Sequence, residues 1–281
     1  MDQQINPLQK YFRLPGVHIK LPSNGRFQDA GNINLTATGE LPIMAMRAQD
    51  ELLMKSPDAL MSGMAIEEVI KSCCPAIKDP RQLPSPDVDA ILLGIRASTY
   101  GEMMTIESEC PHCGAENAYE FNINGILDTV APLEDEYLVR LSDELNVYLR
   151  PFNLHNSTKA SSTVFQETRK LQLLDNLEVS DDERQSFINQ SYKVLNDMNV
   201  QMIAECVERV VTPGGTVTER QFIDEFIHNI DLNQTHALEN KLKEINEAGI
   251  NKKHSVTCSQ CSKTWETIVE FDPANFFGQG S

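Results

Sequence analysis

The chain has 281 residues, of which 41 are acidic and 24 basic, so its formal net charge is −17. This length predicts either two folding units or one domain with a large insertion, because a single domain is usually shorter. The acidity disfavours nucleic acid and anionic membranes as partners, since binding of their phosphates needs clustered Lys and Arg.

The first residues, MDQQINPLQKYF, show neither the basic start nor the apolar run of a secretory signal. Apolar stretches further along are much shorter than a membrane span. We therefore expect a protein that is not secreted, is kept in a cytosol and has no membrane partner. Thiols stay reduced there, and the odd number of seven cysteines argues against a complete disulfide framework.

Residues 1–100 are predicted to form a helical N-terminal region. The turn-rich segment LPGVHIKLPSNGRF indicates a short hairpin around residues 22–25. The third of the helices that follow is predicted to have Ser85 as its N-cap and Pro86 at its first position. The predicted helical segments lie at 46–55, 65–74 and 86–98.

Methionine is concentrated in one part of this region. Half of the ten methionines lie there, namely Met44, Met46, Met54, Met61 and Met64. Methionine suits adaptable contact surfaces as well as cores, so both interpretations stay open, with Met46 and Met54 as the candidate partner contacts. Cys73 and Cys74 are interpreted as a helix end with buried sulfurs, because no other metal-ligand residue type lies close in sequence.

A Cys-x-x-Cys pair, CPHC, occupies residues 110–113 and is followed by Gly114. Thr and Ile before the pair, and Tyr and Phe after it, predict a strand, a tight knuckle and a second strand. Such a knuckle directs both sulfurs toward one point. It therefore supplies half of a tetrahedral metal site.

The middle of the chain, residues 125–251, is predicted to be an inserted and mainly helical domain. The segment EYLVRLSDELNVYLRPF predicts a hairpin whose turn is 142–144. Cys206 is interpreted as a small core residue of the long helix. Four helices are predicted in this region. The first covers 157–174, and the second runs from the capping box Ser180-x-x-Glu183 through VERVV. The third follows the capping signature Thr218-x-x-Gln221, and the fourth lies around 238–247 and ends before Gly249.

A second pair, CSQC at 258–261, lies 144 residues after the first and is again flanked by β-branched and aromatic residues. Two knuckles together supply four thiolates, a ligand set that suits tetrahedral Zn(II). The sequence therefore predicts a split zinc ribbon formed by residues 101–124 plus 252–272, within an α+β fold. Its predicted structural zinc ligands are Cys110, Cys113, Cys258 and Cys261.

Other uses of these cysteines stay open at this point. A reduced dithiol redox motif is one, although such a motif opens a helix and both pairs here lie in predicted hairpins. His112 and His254 are possible replacement ligands, but we interpret them as neighbours of the site or as solvent-exposed. A closed site of four thiolates leaves no coordination position for substrate, so it stabilises a fold and performs no hydrolysis.

Many zinc ribbons bind nucleic acid, and the local charge is the test of that alternative. Residues 101–124 contain acidic side chains and no Lys or Arg, and residues 252–272 balance lysines with acids. A tetrathiolate zinc adds further negative charge, so we expect no nucleic-acid partner. No phosphate-binding loop, Gly-x-Ser-x-Gly or His-Glu-x-x-His motif is present, which predicts a non-enzymatic protein.

The order of these features resembles the T4-type bacteriophage baseplate hub family, which includes hub subunits and hub-assembly proteins of contractile tails. Residues 135–250 carry no part of this resemblance. The matching segments, which span roughly the first 125 and the last 30 residues, are LPSNGRF, LPIMAMRAQDELLMKSPDALMSGMAIEEVI, CPHCGAENAYEFN and CSQCSKTWE.

The resemblance implies a component or assembly factor of the tail hub that acts through contacts with other phage baseplate and tail proteins. It implies a location in the virion baseplate, or in the host cytoplasm during assembly. In the tail at residues 273–281, Phe276 and Phe277 are candidate partner contacts. Packing of this tail against the ribbon is the equal alternative.

Overall fold

The computed structural model describes residues 6–174 and 180–268. Short 3₁₀ helices lie at Gln9–Tyr11 and Pro80–Gln82. The α-helices in this part are α1 (Ala48–Met54), α2 (Pro57–Met61), α3 (Met64–Cys73), α4 (Ser85–Tyr100), α5 (Ile123–Leu127), α6 (Leu154–Leu174), α7 (Asp181–Cys206), α8 (Arg220–Asn229) and α9 (Leu232–Glu247). None of these helices combines the length and the apolar character needed to cross a membrane.

The strands form small antiparallel sheets. Among the described residues, three sheets have two strands each, pairing β1 with β2, β3 with β4 and β9 with β10, and a four-stranded sheet has the order β5-β6-β7-β8. The strands are β1 (Pro15–Lys20), β2 (Glu40–Met44), β3 (Met103–Glu109), β4 (Glu116–Asn122), β5 (Tyr137–Arg140), β6 (Asn146–Leu149), β7 (Val207–Thr212), β8 (Gly215–Val217), β9 (Lys253–Thr257) and β10 (Thr264–Ile268). The described residues therefore combine α-helices with small sheets, which confirms the predicted α+β fold at that level.

One hydrophobic cluster, called here the first cluster, is built around α4. This helix is apolar on nearly every face and buries most of its residues against β1, β2, α3 and α5. Gly94 allows the β1–β2 sheet to approach closely, because a Cβ atom there would lie 2.4 Å from Cδ1 of Ile43. The buried residues of this cluster lie between Ile19 and Ile126, with Leu154 and Ile250 added from later in the chain.

The predicted hairpin around residues 22–25 is wrong. Residues 21–26 do form a turn, in which Asn24 and Gly25 have positive φ angles of 53° and 81°. The strand before this turn, however, pairs with β2, which begins only at Glu40. The partner was missed because an intervening loop separates the strands, and only the shared packing on α4 brings them together.

The N-terminal helices follow the prediction with two corrections. An additional short helix, α2, lies between the first two predicted segments and is capped by the Ser56 side chain. Ser85 is the first residue of α4 and does not cap it, because Pro84 occupies the cap position. Cys73 ends α3, and both it and Cys74 have buried side chains, as predicted.

A second cluster is built by the four-stranded sheet, the end of α7, α8 and α9. Its buried residues lie between Leu133 and Ile245. The middle region is mainly helical, as predicted, but the predicted extent of its long helix is wrong, because that helix ends at Cys206 and VERVVT continues as β7. The β-branched residues of this run favour an extended backbone, and its pairing with β6 satisfies the backbone groups.

Helix starts in the middle region are partly as predicted. The capping box of α7 is confirmed, with the Ser180 hydroxyl accepting from the Glu183 N–H and the Glu183 carboxylate accepting from the Ser180 N–H. The second predicted signature is wrong, because the N-cap of α8 is Glu219 and its side chain makes no capping bond. Helix α9 begins six residues earlier than predicted, at a capping box formed by Asp231 and Gln234.

The chain enters and leaves the middle region at neighbouring points. The Ala131 N–H donates to the Gly249 carbonyl at 2.9 Å. Gly249 has a φ angle of 99°, and a Cβ atom there would lie 3.0 Å from Pro22. Residues just before the second cluster and just after it are therefore held together next to the first cluster.

Candidate metal centre

Each Cys-x-x-Cys pair lies in the turn of a two-stranded hairpin, β3–β4 for the first and β9–β10 for the second. In the first turn, the Cys110 N–H donates to the Ala115 carbonyl and the Gly114 N–H donates to the Cys110 carbonyl, both at 2.9 Å. The second turn repeats this pattern around Cys258. Its final residue, Ser262, has a φ of 58°, close to the 70° of Gly114.

The four sulfur atoms of the two knuckles all lie within 4.8 Å of one another. The Sγ atoms of Cys110 and Cys261 are 3.7 Å apart, and those of Cys113 and Cys258 are 3.6 Å apart. These separations are far longer than the ~2.05 Å of a disulfide. They match the ~3.8 Å between two sulfurs of a tetrahedron whose metal–sulfur distance is ~2.3 Å. The geometry of the four predicted ligands therefore fits Zn(II).

The sulfur of Cys258 is surrounded by donors. The N–H groups of Gln260 and Cys261 lie 3.4 and 3.5 Å from it, and the side-chain amide of Asn117 lies 3.7 Å from it. Donors of this kind stabilise a thiolate and orient it toward a metal. These donors therefore favour the thiolate form of Cys258, which is the form that binds a metal.

Asn117 also ties one knuckle to the other. Its Oδ1 accepts from the Ser259 N–H at 3.0 Å and from the Ser259 hydroxyl at 2.8 Å, while Nδ2 donates to the Ala115 carbonyl at 2.8 Å. The residue is buried. Sequence reasoning missed it, because a single Asn in a predicted strand carries no signal until its neighbours in space are known.

The thiols of the cluster differ in acidity. The N–H of Cys261, supported by that of Gln260, lowers the pKa of the Cys258 thiol to about 6. The Ala115 N–H lowers the pKa of Cys113, but loss of solvation and hydrogen bonds to the other three thiols together outweigh it and raise this pKa to about 12. Four sulfurs this close cannot all be anionic without a cation. Metal binding at this cluster therefore replaces protons and is favoured by higher pH.

The two hairpins also contact each other away from the sulfurs. The Tyr119 hydroxyl donates to the Thr257 carbonyl at 3.0 Å, and the Tyr119 ring meets the Trp265 ring edge-on at 6.0 Å. The His254 ring lies 5.1 Å from that of Phe121, and His112 is exposed. Neither histidine joins the sulfur cluster, within the described residues.

The other predicted site residues lie elsewhere. Met54 is only 1% exposed and belongs to the first cluster, so its side chain is not offered to a partner in this structure. Met46 is half-buried against the same cluster. Phe276 and Phe277 lie outside the described residues. Partner contacts by Met46, Phe276 and Phe277 stay predictions.

The LPSNGRF segment, residues 21–27, forms the junction between the two clusters. The Pro22 carbonyl accepts from the Leu133 N–H at 2.8 Å, and the Arg26 guanidinium donates to the Leu133 carbonyl at 2.6 Å and pairs with Asp135. The Phe27 ring stacks on Tyr137 at 6.0 Å. The segment therefore has a structural role that its turn-rich sequence did not predict.

The two clusters and the four-thiol centre define a mixed α/β protein with a candidate structural metal site. A family model described as T4 bacteriophage base plate protein matches residues 16–278, nearly the whole chain. The chain therefore belongs to the T4 bacteriophage base plate protein family, which confirms the resemblance at that level. Comparison with curated proteins and with solved structures gave no match.

Proposed function

We propose that the protein is a non-enzymatic component of the baseplate hub of a contractile phage tail, or a factor that assembles this hub. The observation that carries the proposal is the family match over nearly the whole chain. Its working surfaces then contact other phage tail proteins. The family match supports a location in the tail baseplate, and the experiment below distinguishes a permanent component from an assembly factor.

We further propose that the four cysteines hold one structural Zn(II). Sulfur–sulfur distances of 3.6 and 3.7 Å and the donors around Cys258 support this. A metal with four protein thiolates has no position for water or substrate, which supports a structural and not a catalytic role. The zinc would close the ribbon between segments that are distant in sequence.

The proposed domain division follows from this closure. We propose an N-terminal region (1–100), a split ribbon (101–124 plus 252–272), an inserted domain (125–251) and a C-terminal tail (273–281). The composition of the second cluster, whose buried residues all lie between 133 and 245, supports the insertion. So does the hydrogen bond that joins Ala131 to Gly249.

Mass spectrometry of two samples tests the hub proposal, namely purified mature particles and affinity pull-downs of the full chain from infected cells. Stoichiometric presence in particles would identify a hub component. Absence from particles, with hub proteins recovered from the lysate, would identify an assembly factor. Recovery with polymerase or nucleic acid and without tail proteins would contradict the proposal and favour a nucleic-acid-binding ribbon.

A further inference from the structure

In the described part of the chain, strand β1 has a partner strand on one side only. It pairs antiparallel with β2, and this sheet has no third strand among the described residues. In the register, His18 lies opposite Pro42 and Lys20 lies opposite Glu40. The orientation of these two pairs decides which backbone groups of β1 remain open.

The hydrogen bonds of Glu40 fix that orientation. Its N–H donates to the Thr36 hydroxyl at 3.1 Å and its carbonyl accepts from the Thr36 N–H at 2.9 Å, so both groups point away from Lys20. Lys20 and Glu40 are therefore a non-hydrogen-bonded pair, and by alternation so are His18 and Pro42. The N–H and carbonyl groups of His18 and Lys20 consequently point to the open side of β1. Outside the β1–β2 ladder, these groups make no backbone hydrogen bond within the described part of the chain.

The outer edge of β2, in contrast, is poorly suited to pairing with another strand. Thr36 occupies the backbone groups of Glu40, and Pro42 has no N–H to offer. Proline and a covering turn are common means by which proteins prevent further strands from adding to a sheet. The two edges of this small sheet therefore differ, because β1 offers the N–H groups of His18 and Lys20 as donors, whereas the opposite positions of β2, Pro42 and Glu40, offer none.

A groove of about 740 Å³ lies next to β1, between residues 16–20 with Glu40 of β2 on one side and α5 on the other. One wall consists of the consecutive residues 16–20, as expected when a strand presents its backbone edge and not one of its faces. The opposite wall includes α5 and the residues next to it. Three carboxylates line the groove, those of Glu40, Glu102 and Asp128, against the single ammonium of Lys20.

We propose that this groove binds an extended segment of a partner protein, which adds as a third strand beside β1 and carries basic side chains toward the three carboxylates. Backbone hydrogen bonds to His18 and Lys20 supply the affinity, and the acidic lining selects the basic side chains. A second copy of this chain fits less well, because each copy carries a net charge of −17 and would bring like charge to the acidic lining of the groove. The inference does not depend on the hub proposal.

Synthetic peptides test the proposal on the full chain. The probe is an acetylated and amidated Lys-Val-Lys-Val-Lys-Val-Lys peptide, with the corresponding Glu-Val peptide as the charge control. Two further versions are N-methylated, one at every Val and one at every Lys. Because only alternate amides of an added strand face β1, one methylated version should bind at least tenfold more weakly than the other. Purely electrostatic binding predicts that the two versions bind equally, which would overturn the proposal.

Hydrogen exchange locates the binding. Saturation with the Lys-Val peptide should slow exchange of the His18 and Lys20 amides at least tenfold. His18→Pro should abolish the slowing at Lys20 and weaken binding, whereas His18→Thr, which keeps the N–H, should not. The opposite residue is already Pro42, so a proline fits this pair without loss of a sheet hydrogen bond.

Other outcomes would also overturn the proposal. Protection of both amides in the free, monomeric chain would mean that a segment of this chain already occupies the groove. Protection that grows with protein concentration would mean that a second copy does. Preference for the Glu-Val peptide would exclude a basic partner.

Discussion

The carboxyl group of Asp87 is buried at the start of α4. Its oxygens accept from the Ser23 N–H at 2.8 Å and from the Ser23 hydroxyl. Burial nevertheless raises its pKa to about 6, because these bonds and the charge of Arg26 compensate only partly for the loss of water. The residue holds the LPSNGRF segment against the first cluster, and it makes that contact sensitive to pH.

We expect Asp87→Asn to change how stability depends on pH. A folded-state pKa above the ordinary value means that the native protein binds the proton more tightly, so the contribution of Asp87 is full below about pH 3.8 and is lost as pH rises through about 6. The loss is on the order of 3 kcal/mol. Asn cannot titrate, so the free energy of unfolding of the variant relative to wild type should rise by most of that amount between pH 4 and pH 7.

Urea denaturation at several pH values measures this difference. Comparison at equal pH cancels changes that both proteins share, including any loss of metal in acid. The control is Asp128→Asn, whose parent side chain is exposed. Parallel stability curves for wild type and Asp87→Asn would contradict the assignment.

Asn117 provides a second prediction at this scale. Asn117→Ala keeps all four sulfurs but removes the bonds to Ser259 and Ala115 and the amide next to Cys258. We expect zinc stoichiometry to stay unchanged while zinc affinity falls roughly tenfold or more, as is common when a neighbour of the ligands is lost. Competition with a chromophoric chelator measures the affinity. Unchanged affinity would show that Asn117 does not position the ligand.

At the scale of elements, the turn at residues 21–27 joins the two clusters through Arg26. Arg26→Ala should lower the free energy of unfolding by about 1–3 kcal/mol, because it removes the bonds to the Leu133 and Ser23 carbonyls and the ion pair with Asp135. Arg81→Ala is the matched control. Arg81 is largely exposed, so its ion pairs should contribute less than about 1 kcal/mol. Equal losses in the two variants would argue against a junction at Arg26.

Local patterns predicted several elements well and others poorly. Helices α3, α4 and α6 and the β5–β6 hairpin follow from apolar spacing and turn residues. Strand β7 was missed because neither Gly nor Pro separates VERVVT from the apolar pattern of α7. The pairing of β1 with β2 was missed because it depends on packing against α4, which no local pattern reveals.

The candidate metal centre was likewise predictable only in part. The four cysteines and their two knuckles were predictable, since the ligand type and the spacing are characteristic of zinc sites. The convergence of the pairs required the structure, because a separation of 144 residues far exceeds the usual spacer. The contribution of Asn117 was not predictable, because it depends on a contact between the two knuckles.

At the scale of the whole molecule, distant parts of the chain meet at Gly249. Gly249 lies against Pro22, and the Ala131 N–H binds its carbonyl, so the N-terminal region and both ends of the middle region meet there. The ribbon continues from this point through β9. Closure of the ribbon by a metal would therefore restrain the exit of the middle region as well as the two knuckles.

The most direct measurement is the zinc content of the purified full chain by elemental mass spectrometry. We predict about one zinc ion per chain for wild type and for Cys206→Ala, and almost none for Cys110→Ser or Cys258→Ser, because a site built from both knuckles fails when either loses a thiolate. A folded wild-type protein without metal, or full zinc content in either Ser variant, would contradict the account.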